Sequence, residues 1–124
     1  MIGYTTLGSN DVGKAADFYQ QIFNVLGADR VYDYPNYVAW QTDANSPMFS
    51  ITVPHNKEDA TVGNGTMIAL KAPSVDVVHE VHNLALSLGA TNEGDPGDRG
   101  YGFYCAYFRD IDGNKLNVYY QQNT

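Results

Sequence analysis

Apolar positions along the chain alternate between a period near two and a period near 3.6, and the order of these stretches occurs twice. Residues 2–8 (IGYTTLG) read as a strand, after which Asn10 and Asp11 offer side-chain oxygens for the free N–H groups of a helix start. Ala15, Phe18, Tyr19, Ile22, Phe23 and Leu26 then recur at spacings of three and four. That spacing predicts an amphipathic helix to about Leu26, ended by Gly27, which accepts a left-handed backbone without steric cost. Strand-like stretches follow at 28–33, 37–42 and 48–53, separated by Pro35-Asn36 and by the turn-rich residues 43–47.

Residues 55–65 are polar and carry Gly63-Asn64-Gly65, as suits an exposed linker. The order then repeats. Residues 66–71 predict a strand, and Ser74 predicts an N-cap. A helix to about Leu88 follows, with Val75, Val78, Val81, His82, Ala85 and Leu88 on one face and Gly89-Ala90 as its stop. A short strand at 91–93 precedes a glycine-rich acidic loop at 94–102. Residues 103–109 and 115–120 form a hairpin across 110–114, where Asp112-Gly113 favours positive φ. A shift of 62 to 63 positions superposes the first helical unit on the second, and a shift of 67 superposes residues 39–53 on 106–120. Duplication of one βαβββ unit explains both shifts and predicts two modules, 1–55 and 64–121, in a single domain of 124 residues.

The composition, 44% hydrophobic and 17% charged, is that of a chain able to bury a core without disulfides. No apolar run approaches the roughly 20 residues that span a bilayer, and MIGYTTL lacks the basic segment and apolar stretch of a secretion signal, so a cytoplasmic location is expected. Cys105 is the single cysteine and lies in an aromatic run, which reads as a buried, inert thiol. A formal charge of -7 repels phosphate backbones and anionic headgroups, arguing against nucleic-acid and membrane partners. It also favours a cationic ligand, although solubility alone accounts for acidity of this size.

The opening strand and helix with Phe18-Tyr19, and the segment Phe108-Arg109-Asp110-Ile111-Asp112-Gly113-Asn114-Lys115-Leu116 near the end, resemble the vicinal-oxygen-chelate superfamily of glyoxalases, bleomycin-resistance proteins and extradiol dioxygenases. The second segment is similar to that family's F-x-D-P-D-G-N-x-x-E signature, with Ile111 in place of proline. The resemblance covers nearly the whole chain. It implies an α+β fold in which two βαβββ modules form a curled mixed sheet, an incomplete barrel around a cleft, with the helices outside. It also implies a homodimer.

Metal-dependent members of that superfamily hold a divalent cation with histidines on the first strand of each module and carboxylates, or a glutamine, on the last. The matching positions here are Tyr4 and Met67 (Thr66 with a slip of one) on the first strands, and Ser50 and Asn117 on the last. Phenol, thioether, hydroxyl and amide do not supply the ligand field or the charge that such an ion requires. No metal and no other cofactor is therefore expected.

With the metal set aside, alternation places Tyr4, Thr6, Ser50, Thr52, Met67, Ala69, Asn117 and Tyr119 on one face of their strands. This is a mixed aromatic and hydrogen-bonding surface suited to a small organic ligand, cationic or aromatic, or else the filled interior of a collapsed barrel. Trp40 and Tyr101, with Tyr37, Tyr104 and Tyr107, lie where they would rim the implied cleft, and such rings stack on planar or cationic groups. Arg99, in the glycine-rich loop, either clamps a ligand carboxylate or pairs with Asp95 or Asp98.

Other motifs carry little chemistry. His79 and His82 are spaced three apart rather than as H-E-x-x-H, and residues 110–114 lack the glutamate of a calcium loop. Cys105 has no identifiable base, and no G-x-S-x-G elbow is present. The reading that follows is a glyoxalase/bleomycin-resistance-like protein that binds a small organic ligand without a family-type metal. A metal-dependent glyoxalase-like lyase or isomerase and a non-catalytic partner-binding module are the alternatives.

Overall fold

A computed structural model of the chain describes residues 1–122. Contacts divide it into two compact units, Met1–Val62 and Gly63–Thr124. In the first, β1 (Tyr4–Gly8) leads into α1 (Val12–Leu26), followed by β2 (Asp29–Tyr34), β3 (Tyr37–Gln41) and β4 (Met48–Thr52). In the second, β5 (Ile68–Lys71) and α2 (Val75–Ser87) precede β6 (Thr91–Asp98), β7 (Phe103–Arg109) and β8 (Lys115–Gln121). Each unit is a βαβββ module with its own four-stranded mixed sheet, in the orders β1-β4-β3-β2 and β5-β8-β7-β6. The first and last strands of each module run parallel and the remaining pairs antiparallel.

The helix ends follow from local chemistry. Asp11 caps α1 by accepting a hydrogen bond from the Lys14 N–H at 3.0 Å, and Gly27 closes it at φ 77°. Ser74 caps α2 through the Val77 N–H, and Gly89 follows its end at φ 105°. The apolar stripe of α1 packs on β2, β3 and β4, where Tyr19, Phe23, Trp40 and Phe49 form a ring cluster with centroids 4.9–6.4 Å apart. In the second module Val78, Val81, His82 and Ala85 are buried where α2 packs on β6, β7 and β8, and Leu70, Phe108, Leu116 and Val118 complete that core. Burial of each large side chain stabilises by about 1.5–3 kcal/mol.

Between β3 and β4, Asp43 organises a tight turn by accepting from the Asn45 N–H and the Ser46 hydroxyl, both at 2.8 Å. The Asn45 backbone bond, then the Ser46 hydroxyl, hold its carboxyl below the usual aspartate value, against a small opposing effect of burial. The stability this contributes is complete above the unfolded pKa and is lost as pH falls through the lowered folded value. Asp43→Asn is therefore expected to flatten the acid side of the stability–pH curve, measured by urea denaturation from neutral pH to pH 3.

One element differs from the sequence reading. The stretch 94–102 is not a free loop: β6 continues to Asp98 as an edge strand paired with β7, with register shifts between Asn92 and Gly94 and between Gly94 and Gly97. An edge strand accommodates Pro96 because one side of its backbone needs no partner. Only the turn at Arg99–Gly102 remains, with Tyr101 at φ 55° and 98% exposed. The 110–114 turn also departs from expectation, since Gly113 alone takes positive φ there while Asp112 does not.

Candidate functional site

Strand parity divides each sheet into a helix-packed face and an opposite face. In the first module the opposite face carries Tyr4 and Thr6 from β1, Ser50 and Thr52 from β4, and Tyr37, Ala39 and Gln41 from β3. Tyr4 and Thr6 are exposed, Thr52 is half-buried and Ser50 is fully buried. The Ser50 hydroxyl donates its one proton to the Thr5 carbonyl at 2.6 Å, so the Thr6 hydroxyl, 3.0 Å away, is the donor in their contact. Thr52 directs its hydroxyl to the Asn36 and Val53 carbonyls.

Trp40 does not join this face. It is 1% exposed on the helix side, with its indole N–H donating to Gln20 Oε1 at 3.0 Å, and Arg30 lies 5.4 Å above its ring. The expectation that it rims a ligand site is corrected by its parity: Val38 and Trp40 point to α1, leaving Tyr37, Ala39 and Gln41 on the opposite side. Tyr104 is likewise turned toward α2, where its hydroxyl meets His79 Nε2 at 2.8 Å. His82 is a core histidine, its Nε2 within 3.2 Å of Asn92 Oδ1 and 3.1 Å of the Tyr107 carbonyl.

In the second module, pairing of Ala69 with Asn117 and of Lys71 with Tyr119 puts all four on the opposite face, with Lys115, Phe103, Cys105, Tyr107 and Arg109. Met67 lies just before β5 rather than within it and is 39% exposed. Asn117 is buried; its Nδ2 approaches Cys105 Sγ at 4.0 Å, while its Oδ1 is buried without a hydrogen-bond partner among the described residues. Arg99 reaches across β6 to place its guanidinium 5.7 Å from the Tyr107 ring centroid, and Lys115 Nζ stands 5.5 Å from the same centroid. Burial, then the neighbouring Cys105 side chain, raise the Tyr107 phenol above its usual pKa, partly offset by Arg99, so the ring keeps its proton at neutral pH. Lys115 was legible in the sequence by counting back two from Asn117; Tyr107 needed the pairing with β8 to bring it under both cations.

Ser50 pairs with Thr6 and Asn117 with Ala69, so Ser50 and Asn117 occupy equivalent places in their sheets, two positions along from the rows of Tyr4 and Met67. The family model described as Glyoxalase/Bleomycin resistance protein/Dioxygenase superfamily matches residues 1–118. The chain belongs to that superfamily. Among solved structures, a glyoxalase/bleomycin resistance protein from Albidiferax ferrireducens T118 is 27% identical, with 98% of this chain and 99% of that chain covered and a TM-score of 0.89. A glyoxalase/bleomycin resistance protein/dioxygenase family enzyme from Burkholderia phytofirmans PsJN is 17% identical, with 97% and 98% covered and a TM-score of 0.77. A superfamily member from Sphaerobacter thermophilus DSM 20745 is 24% identical, with 98% and 97% covered and a TM-score of 0.70. No curated protein matches the chain.

The superfamily's divalent cation does not fit the side chains at its positions here. The buried Ser50 hydroxyl is already closed into hydrogen bonds, Asn117 is a neutral amide beside a thiol, and Tyr4 and Met67 offer a phenol and a thioether. Among the described residues no three of His, Cys, Asp and Glu converge. A dication on this donor set is left without compensating charge.

Proposed function

We propose that this superfamily member binds a small organic ligand on the helix-distal faces of its sheets and does so without a family-type metal. The observation that carries the reading is the state of Ser50: at a position where metal-dependent relatives place a ligand, its hydroxyl is buried and committed to Thr5 and Thr6. Around it and around Asn117 stand aromatic rings and hydrogen-bonding groups, the usual make-up of a small-molecule site.

Purified protein is expected to carry zinc, nickel, iron and manganese well below one equivalent, and its Tm is expected to be unmoved by chelator. A small-molecule panel run by thermal shift is expected to contain stabilising compounds, since a ligand at 100 times its Kd adds about 2.7 kcal/mol. Stoichiometric metal whose removal abolishes turnover of a hemithioacetal makes the protein a metal-dependent lyase instead.

A further inference from the structure

The chain is acidic overall, but its basic residues are not spread evenly. Of the seven lysines and arginines, four lie on the helix-distal face of the second sheet or reach over it: Lys71, Arg99, Arg109 and Lys115. Arg109 is paired with Glu93, and Arg30 in the other module with Asp33. Arg99 and Lys115 have no carboxylate partner among the described residues, although 14 acidic side chains are available in the chain. Instead both stand over the one Tyr107 ring. Neither charge is neutralised by an ion pair, so each remains able to attract an anion to this face.

Arg99 is held there by its surroundings. Its Nη2 donates to the Asp95 carbonyl at 2.7 Å, leaving further N–H groups of the fork free to bind. It lies over two glycines of β6: a Cβ on Gly97 would stand 2.6 Å from Nη1, and one on Gly94 would stand 2.9 Å from Tyr107 Cδ2 and 3.5 Å from Arg99 Nη2. The missing side chains thus make the bed on which the guanidinium reaches the ring. On the same face Asn117 holds its partnerless, buried Oδ1, and Phe103 and Tyr119 form an aromatic pair with centroids 5.6 Å apart.

We propose that the helix-distal face of the second module binds an organic carboxylate, with the anionic group on the Arg99 fork, Lys115 as a second charge on the same face, and a planar apolar body against the aromatic rings of that face. This rests on the ligand-binding reading above and gives its ligand class: an anion, selected by local charge against the net charge of the chain. A guanidinium fork matches the two oxygens of a carboxylate, and the lysine adds a second charge.

The test is calorimetric titration of the full chain with phenylacetate, 2-phenylethylamine and 2-phenylethanol, probes of similar body that differ in charge. Phenylacetate is expected to bind at least about tenfold more tightly than the other two, and to weaken as salt rises. Arg99→Gln and Lys115→Met are each expected to reduce its affinity about tenfold or more. Gly97→Ala keeps every charge and displaces only the flexible end of Arg99, so it is expected to weaken phenylacetate while leaving circular dichroism and Tm near those of the parent. Binding of the amine or the alcohol in preference to phenylacetate overturns the anion assignment and leaves ligand binding standing. Phenylacetate binding that is indifferent to all three substitutions overturns the site. No binding of any probe also overturns the proposal, and the thermal-shift panel described above then decides separately whether the ligand-binding reading survives.

Discussion

Trp40→Ala is expected to lower the unfolding free energy by about 3–5 kcal/mol, enough to unfold a large share of a marginally stable population. The indole is 1% exposed and contacts three other rings, Tyr19, Phe23 and Phe49, so truncation leaves a cavity that the flanking β-sheet and α1 fill only in part. A hydrogen bond is lost too, but Gln20 Oε1 keeps the Arg30 Nε donor at 3.0 Å. Packing should therefore dominate. Trp40→Phe, which retains a ring and drops the N–H, is expected to cost about 1–2 kcal/mol. Urea denaturation of both variants checks the point, and equal losses would assign the effect to the hydrogen bond.

Asp110→Ala is expected to cost about 3 kcal/mol and to loosen the β7–β8 connection. The Asp110 carboxylate is 4% exposed and accepts from the backbone N–H groups of Asp112 and Asn114 at 2.9 Å and from Asn114 Nδ2 at 3.1 Å. Removal deletes three hydrogen bonds accepted by a charged group, each worth about 1.5–3 kcal/mol at most. The backbone bonds that close the turn, Asp110 N–H to the Asn114 carbonyl and Gly113 N–H to the Asp110 carbonyl, remain. Asp110→Asn keeps one acceptor oxygen and is expected to recover about half of the loss. Amide exchange at residues 112–114 should quicken in the alanine variant before exchange in the α2 core does.

The hydrogen bonds of Asp110 bear on the family signature as well. In the sequence that segment is a string of turn-forming residues; in the structure its aspartate is the buried hub of the hairpin connection. Isoleucine at 111 is compatible with the turn because the Asp110 carboxylate fixes its backbone through the Asp112 and Asn114 N–H groups.

Periodicity and end-capping chemistry were enough to read two βαβββ modules, both helices with Asp11 and Ser74 at their starts, and the face of β1, β4 and β8 on which Tyr4, Thr6, Ser50, Thr52, Asn117 and Tyr119 stand. These features are local, set by side-chain spacing along one element and by hydrogen bonds that reach three or four residues. Tertiary structure alone decided the rest. β3 buries Val38, Ala39 and Trp40 in succession, so its alternation carries no parity signal, and only pairing with β4 turns the tryptophan inward. β6 is too rich in glycine, with a proline and two register shifts, to show a period of two, and it becomes a strand because β7 supplies its partner. The meeting of Arg99 and Lys115 over Tyr107 joins three segments that no spacing rule connects, because contact between strands depends on register, and register is set by the whole sheet.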